Sequence, residues 1–312
     1  MHTEIDKPNV VVICGPTALG KTAVAIDLAG RFASEIISAD SMQVYRYMNI
    51  GTAKPTPDEQ AQVPHHMIDV VDPDECFDAK QFATMARKKI SGLHCLGATP
   101  FVVGGTGFYI KALVHGLFGV EITDLQVRSR LKEEVETHGS QKLHKRLQDC
   151  DPDSALRIHP NDTYRVIRAL EIYELTGAAV SDLHRAHRFK DNPFRVLKIG
   201  LYMDRERLYN RIDQRVDDMV KAGLVDEVKM LLDRGYSSDL KSMQSIGYRH
   251  MIDFIEGRLS WERTLSVLKR DTRRYAKRQI AWFKADPEVV WSTKERINDI
   301  RQKIKEFLQV RS

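Results

Sequence analysis

Val10-Val11-Val12-Ile13-Cys14-Gly15-Pro16-Thr17-Ala18-Leu19-Gly20-Lys21-Thr22 decides the fold of this chain. Five apolar residues without alternation read as a strand buried on both faces. The strand runs into a loop bounded by two glycines and closed by Gly-Lys-Thr, the P-loop spacing. In such a loop successive backbone N–H groups point at one anion, a lysine adds positive charge, and a threonine hydroxyl is placed for a metal ion. A helix begins near Lys21, and its N-terminal dipole adds to the cradle. Gly15, Pro16, Thr17, Ala18, Leu19, Gly20, Lys21 and Thr22 are therefore the expected phosphate-binding residues, with Thr22 on Mg²⁺. The spacing alone suits a di- or triphosphate, and ATP would be the usual guess. An ordinary glycine turn is the plainer alternative.

Composition narrows the class. The chain has 312 residues, 42% hydrophobic and 29% charged, as in a globular protein with one core and a second module. The first eight residues carry acids and a proline where a secretory leader needs basic and then apolar residues. No apolar run reaches the length of a membrane span, so no membrane association and a cytoplasmic location are expected. Cys14, Cys76, Cys95 and Cys150 are widely spaced, which favours neither a disulfide framework nor a zinc site. The pairs His65-His66 and His184/His187 lack companions at ligand spacing and read as structural or surface residues.

Strand and helix patterns alternate through the first third. Strands are expected at 10–14, 35–39 and 100–104, with helices at 22–32 and 79–93. This is the rhythm of a parallel sheet flanked by helices, whose ligands bind beyond the carboxyl ends of the strands. The loops at 15–22, 40–45 and 104–107 should thus converge. Charged amphipathic helices follow at 128–136, 142–147 and 163–175, with loops marked by Asp151-Pro152 and by Pro160. A strand returns at 196–203, then helices from 205 onward, including 261–284. The expected architecture is an α/β P-loop core with a helical insertion domain. Its parts are residues 1–118 (core), 119–193 (insertion) and 194–312 (core again).

Two further pieces bear chemistry. Asp40 follows the second strand, where a carboxylate beside a P-loop can reach Mg²⁺ through water or take a proton from a nucleophile. A helix N-cap is the plainer role. Gly104-Gly105-Thr106-Gly107 follows the third strand and brings backbone and a hydroxyl toward a ligand. The net charge of +5 is localised. Removing Lys269, Arg270, Arg273, Arg274, Lys277, Arg278 and Asp271 leaves a formally neutral remainder. At helical spacing Arg270, Arg273, Arg274, Lys277 and Arg278 share one face, opposite Leu265, Leu268, Ala276 and Phe283. Such a stripe suits a nucleic-acid backbone, each phosphate contact steepening the salt dependence by ~0.7 in log–log slope. A solvated face without a ligand is the alternative.

With these residues assembled, the chain resembles the bacterial-type tRNA dimethylallyltransferases, the tRNA isopentenyltransferase family. The resemblance rests on Gly15–Thr22, Ser38-Ala39-Asp40-Ser41-Met42-Gln43-Val44-Tyr45-Arg46, Gly51-Thr52-Ala53-Lys54-Pro55 and Pro64-His65-His66. It continues through Gly104-Gly105-Thr106-Gly107, Arg157-Ile158-His159-Pro160-Asn161-Asp162 and Arg165-Val166-Ile167-Arg168-Ala169-Leu170-Glu171. Met243-Gln244-Ser245-Ile246-Gly247-Tyr248-Arg249 and Tyr275-Ala276-Lys277-Arg278-Gln279 complete it. Leu19 stands where that family usually has serine, and Phe108 where leucine is usual.

The resemblance implies transfer of a dimethylallyl group from dimethylallyl diphosphate to the exocyclic amine of the adenosine 3′ of a tRNA anticodon. The P-loop then holds the diphosphate of the prenyl donor with Mg²⁺, and ATP is not hydrolysed. By the same match Asp40 accepts the proton or hydrogen bond of the attacking amine, Thr106 positions the reacting groups, and Arg215 holds the diphosphate, with Arg211 close by as its rival. The adenosine must leave its stack. The implied tRNA contacts are Asp40, Ser41, Met42, Gln43, Thr106, Arg128, Tyr164, Arg165, Val166, Ile167, Arg168, Met243, Gln244, Arg249, Arg273, Arg274, Lys277 and Arg278. The insertion would clasp the anticodon stem-loop, and a monomer is the expected working unit. Three other readings compete: a small-molecule P-loop kinase, an isopentenyltransferase acting on free adenine nucleotides, and a nucleotide-gated RNA-binding switch. The first two need neither the insertion nor the basic helix.

Overall fold

The computed structural model describes residues 7–117, 124–187 and 192–309. The expected domain boundary at Gly119 and both chain ends lie outside them, as do the side chains of His184 and His187. The chain divides into two compact units, Met1–Val114 with Pro193–Ser312, and His115–Asn192.

The first unit opens with β1 (Asn9–Cys14), α1 (Lys21–Arg31), β2 (Ile36–Ser38), α2 (Pro57–Gln62), β3 (His65–His66), α3 (Ala79–Cys95), β4 (Phe101–Gly104) and α4 (Gly107–His115). The helical unit holds α5 (Leu125–His138), α6 (Ser140–Cys150), α7 (Pro152–Arg157), α8 (Thr163–Thr176) and α9 (Val180–His187). The first unit resumes with β5 (Arg195–Leu201), α10 (Arg205–Lys221), α11 (Leu224–Asp233), α12 (Tyr248–Ile255), α13 (Trp261–Lys284), β6 (Val289–Ser292) and α14 (Ile297–Gln309).

Among the described residues six strands form one sheet in the order β3-β2-β4-β1-β5-β6, parallel at every pairing. β1 sits in its interior, Val12 opposite Val102 on one side and Lys198 on the other. Val10, Val11, Val12 and Ile13 have no solvent exposure, which is why this strand reads as an unbroken apolar run. Ile13, Ala25, Leu28, Ile199, Ile212 and Ala276 belong to one hydrophobic cluster under the phosphate loop. Among the described residues no helix is long and apolar enough to cross a membrane.

Two strands escape the sequence reading. β3 is only two residues, His65 and His66, and pairs with Ile36 and Ile37 at the sheet edge. The histidine pair thus has a place in the fold: His66 Nε2 lies 2.5 Å from Glu35 Oε2, and His65 Nδ1 lies 2.7 Å from the Val63 carbonyl. β6 forms the other edge against β5. In the helical unit, Asp151-Pro152 starts a helix instead of marking a loop. Pro152 occupies the first turn of α7, where its missing N–H costs nothing. The Asp151 carboxylate accepts from Ser154 N and from Ser181 N, each at 3.0 Å, joining α7 to α9.

Candidate active site

The carboxyl ends of β1, β2 and β4 do deliver their loops to one place. Gly15 leaves β1 with φ +132°, and a Cβ there would lie 2.6 Å from the Leu201 carbonyl oxygen, so only glycine turns the chain this closely past β5. Ala18 then takes the left-handed φ of 67°. For alanine that backbone costs about 1–3 kcal/mol; its burial in the core cluster holds it there. Thr17, Ala18, Gly20, Lys21 and Thr22 line a cavity of about 390 Å³. Leu19 points into the core, 2% exposed, and Pro16 faces elsewhere.

Asp40, Ser41, Met42 and Gln43 line the same cavity. Asp40 Oδ1 accepts from Met42 N at 2.9 Å and Gln43 N at 3.4 Å. Asp40 caps no helix, since residues 41–44 form a turn; its carboxylate holds that turn and stands at the cavity wall. Thr106 stands behind Ser41, its Oγ1 accepting from Ser41 N at 3.0 Å. Gln43 is less available than the sequence suggests: its side chain accepts from Ser38 Oγ at 2.8 Å and donates to the carbonyls of Thr52 and Ala53. Those two residues, with Gly51, form another wall. A nearly buried carboxylate pins that wall. Glu227 accepts the N–H groups of Asn49, Ile50 and Gly51 and, at 2.6 Å, the hydroxyl of Tyr248.

Lys21, Asp40 and Arg215 bring charge to the cavity from three different elements. Lys21 Nζ donates to the Pro16 carbonyl at 2.8 Å. Burial, then repulsion from Arg215, pulls its ammonium down to about 8, with Asp40 opposing. Arg215 lines the cavity, whereas Arg211 does not; a Cβ on Gly20 would stand 3.8 Å from an Arg211 guanidinium nitrogen. Burial also lowers the Arg215 guanidinium from its ordinary value, with Asp40 opposing and Arg211 adding. It stays charged regardless. Desolvated cations around a carboxylate are suited to an anionic ligand, which restores what water no longer supplies.

This sets a pH dependence. Lysine is charged below its pKa, so in the free protein Lys21 carries its proton below pH about 8 and loses it above. A phosphate ester has shed its last proton by pH ~6 and binds the charged form. Affinity for a diphosphate is then full below that pKa and falls by up to about tenfold per pH unit above it. Titrating the dissociation constant from about pH 7 to about pH 9 checks this; a flat profile removes the Lys21 proton from recognition.

Helix α13 supplies a further wall through Leu268, Thr272, Tyr275, Arg278 and Gln279. Gln279, 6% exposed, was legible only as part of the family resemblance, yet it joins two of the loops. Its Oε1 accepts from Thr17 N and its Nε2 donates to the Gly105 carbonyl, both at 2.9 Å. Tyr275 lies half-buried beside it. Desolvation and the Asp40 charge push its hydroxyl up to about 12, against hydrogen bonds with Thr106 and Gln279.

The cationic stripe on α13 is narrower than its spacing implies. Arg273 places one guanidinium nitrogen 2.6 Å and 2.7 Å from the two Asp213 oxygens. Lys269 pairs with Asp217 and Arg270 with its neighbour Asp271. Arg274, Lys277 and Arg278 are the exposed ones. Of these, Arg278 lines the cavity, while Lys277 lines a second one of about 500 Å³ with Pro16, Tyr209, Lys284 and Trp291. Among the other residues implied for RNA contact, Gln244 reaches the first cavity, Met243 is fully buried, and Arg249 pairs with Asp271 at 2.8 Å.

Within the helical unit, Tyr164 is 74% exposed and Arg165 points outward beside Asp162. Arg128 and Arg168 both pair with the fully buried Glu171, at 3.0 Å and 2.8 Å. Val166 and Ile167 belong to that unit's core. The implied RNA contacts of Met243, Val166 and Ile167 are corrected here as far as side chains go, because these face protein interior.

The IPP transferase family profile matches residues 43–286. A tRNA dimethylallyltransferase of Desulfosudis oleivorans is 54% identical over 304 residues, 97% of each chain. One of Desulfatibacillum aliphaticivorans is 52% identical over 303 residues, 97% of this chain and 99% of that one. Among solved structures, the full-length tRNA isopentenylpyrophosphate transferase of Bacillus halodurans matches with a TM-score of 0.73 at 44% identity, covering 97% of both chains. A eukaryotic dimethylallyltransferase acting on tRNA matches with a TM-score of 0.76 at 31% identity, over 96% of this chain and 77% of that one.

Proposed function

Because the chain belongs to the IPP transferase family, we infer that it transfers a dimethylallyl group from dimethylallyl diphosphate to the exocyclic amine of the adenosine 3′ of the anticodon in tRNA, releasing diphosphate. The observation that carries the reading is the single cavity in which the phosphate loop, Lys21, Asp40 and Arg215 meet. A kinase or a nucleotide switch would share the loop, but the full-length likeness to tRNA-modifying prenyltransferases supports prenyl transfer over both.

Each residue then has a task. The N–H groups of the loop, Lys21 and Arg215 surround the diphosphate and stabilise the charge that builds on it as the allylic C–O bond breaks. Asp40 takes the hydrogen bond, and then the proton, of the adenine amine as its nitrogen attacks the allylic carbon. Thr106, held against Ser41, fixes the loop that carries Asp40. An aromatic amine is a weak nucleophile, so holding it in line with the allylic carbon supplies much of the rate. Thr22 is a hard oxygen donor on the cavity wall and fits Mg²⁺, which takes one or two protein oxygens and completes its shell with phosphate and water. When bound, the ion supplies further charge neutralisation at the diphosphate. The exposed cations Arg274 and Arg278 face the RNA backbone, and Tyr164 and Arg165 are the helical unit's outward candidates. A monomer working in the cytoplasm, where tRNA resides, completes the proposal.

Incubating the purified protein with dimethylallyl diphosphate and tRNA, then digesting to nucleosides for mass analysis, tests it. A prenylated adenosine is expected. Its absence, or prenylated AMP in preference to tRNA, sinks the reading.

A further inference from the structure

Two large aromatic side chains stand outside the core beside the candidate site. Phe108 is 50% exposed and Trp282 is 41% exposed. Their rings meet edge to face, with centroids 6.5 Å apart and planes at 88°. Each follows directly from a wall of the cavity. Phe108 lies three residues past the cavity-lining Gly105, at the start of α4. On α13 the cavity-lining residues Leu268, Thr272, Tyr275 and Gln279 recur at spacings of four, three and four, one stripe of a helix. Trp282, three residues on, continues that stripe beyond the cavity. The indole is held in place from below: a Cβ on Gly107 would come within 2.1 Å of Trp282 Cδ1, so the ring lies directly on the Gly107 backbone.

Burial would normally claim both rings, since each offers a large apolar surface. Keeping them at the rim of a charged cavity points to a ligand that covers them. The charge around them is cationic. Arg278, one helical turn before Trp282, is exposed and lines the cavity, with its guanidinium 5.6 Å from the centre of the Tyr275 ring. The Arg274 side chain, a further turn back, is 65% exposed. Aromatic faces interleaved with cations are the pattern that binds unstacked nucleic acid, bases on the rings and phosphates on the cations.

We propose that Phe108 and Trp282 form a stacking platform for an RNA base adjacent to the adenosine that enters the cavity. The inference rests on the prenyl-transfer reading above. Drawing the target adenosine out of its stack strips a neighbouring base of its partner, and the platform offers that base a replacement surface. It would thus act on RNA affinity and positioning, as a pair of positioning residues that never touch the reacting atoms.

The test is a coupling experiment on an anticodon stem-loop RNA. Phe108→Ala and Trp282→Ala are each measured with the normal RNA and with RNAs carrying an abasic site on either side of the target adenosine. Base stacking on an aromatic ring corresponds to about 5- to 150-fold in affinity, so each variant should raise KM for the normal RNA within that range. With one of the abasic RNAs, the protein substitution should add little further loss. Trp282→Leu, which refills the space over Gly107, separates loss of the ring from loss of packing, and melting temperatures identify a variant that fails to fold. Equal penalties on normal and both abasic RNAs would overturn the platform. So would a rise confined to KM for dimethylallyl diphosphate, which would put the prenyl chain on the rings. If the unaltered protein prenylates no RNA, the reaction assignment itself fails, a result distinct from either.

Discussion

Replacing Asp40 by Asn is expected to lower turnover on tRNA by about 10²- to 10⁴-fold, the usual range for losing a positioned general base, while tRNA affinity changes little. The structure makes Asn the sharper substitution. Asp40 Oδ1 accepts from Met42 N and Gln43 N, and an amide oxygen can keep both bonds. Only the charge and the proton-accepting capacity are removed. Asp40→Ala removes the turn as well, so it should add a rise in KM for tRNA as residues 40–43 loosen. Steady-state kinetics on both variants, with tRNA binding measured separately, distinguish the two effects. Unchanged turnover in Asp40→Asn would take this carboxylate out of the chemistry.

Lys21→Met is expected to reduce kcat/KM for dimethylallyl diphosphate by about 10²- to 10³-fold, as for loss of one preorganised donor to a developing anion. Lys21 is desolvated and repelled by Arg215 in the free protein. The diphosphate relieves both penalties, and the relief grows as the C–O bond breaks and charge moves onto the leaving group. The loss should therefore fall on kcat as well as KM. The substitution should also abolish the alkaline fall in affinity above pH about 8. A variant with near-normal kcat/KM, or one that keeps that pH dependence, would hand the role to Arg215 and the loop amides.

How much of this was legible beforehand depends on how far each feature reaches along the chain. β1 and the phosphate loop were plain, because burial on both faces and a glycine-bounded turn leave marks within thirteen consecutive residues. β3 was not, since two histidines have no period and owe their strand geometry to pairing with Ile36 and Ile37. The stripe on α13 was correct in its apolar face, with Leu268, Ala276 and Phe283 buried. Its cationic face was overstated. The acids that neutralise Arg273 and Lys269 sit on α10, 60 and 52 residues away, and helical spacing says nothing about a facing helix. Arg128 and Arg168 entered only as RNA contacts implied by the resemblance, and the pairing of Arg128 with buried Glu171, which also holds Arg168, was likewise out of reach of local spacing. Gln279 appears in the sequence only as the last letter of a motif; its partners are Thr17 and Gly105.

That last bond has a bearing on how the protein is made. Thr17 and Gln279 are 262 residues apart, and β1 completes its pairing only when β5 has arrived beside it. On a ribosome the glycine loop emerges 262 residues before the glutamine that accepts from its Thr17 amide. Contacts of such long sequence separation form late in folding, and chains of this size pass through partly formed states on the way. The turn at Thr17 is therefore finished only once α13 has been made, and a chain interrupted before α13 lacks the acceptor that holds it. Anything that enters the cavity thus meets an ordered loop only in a molecule that already carries α13.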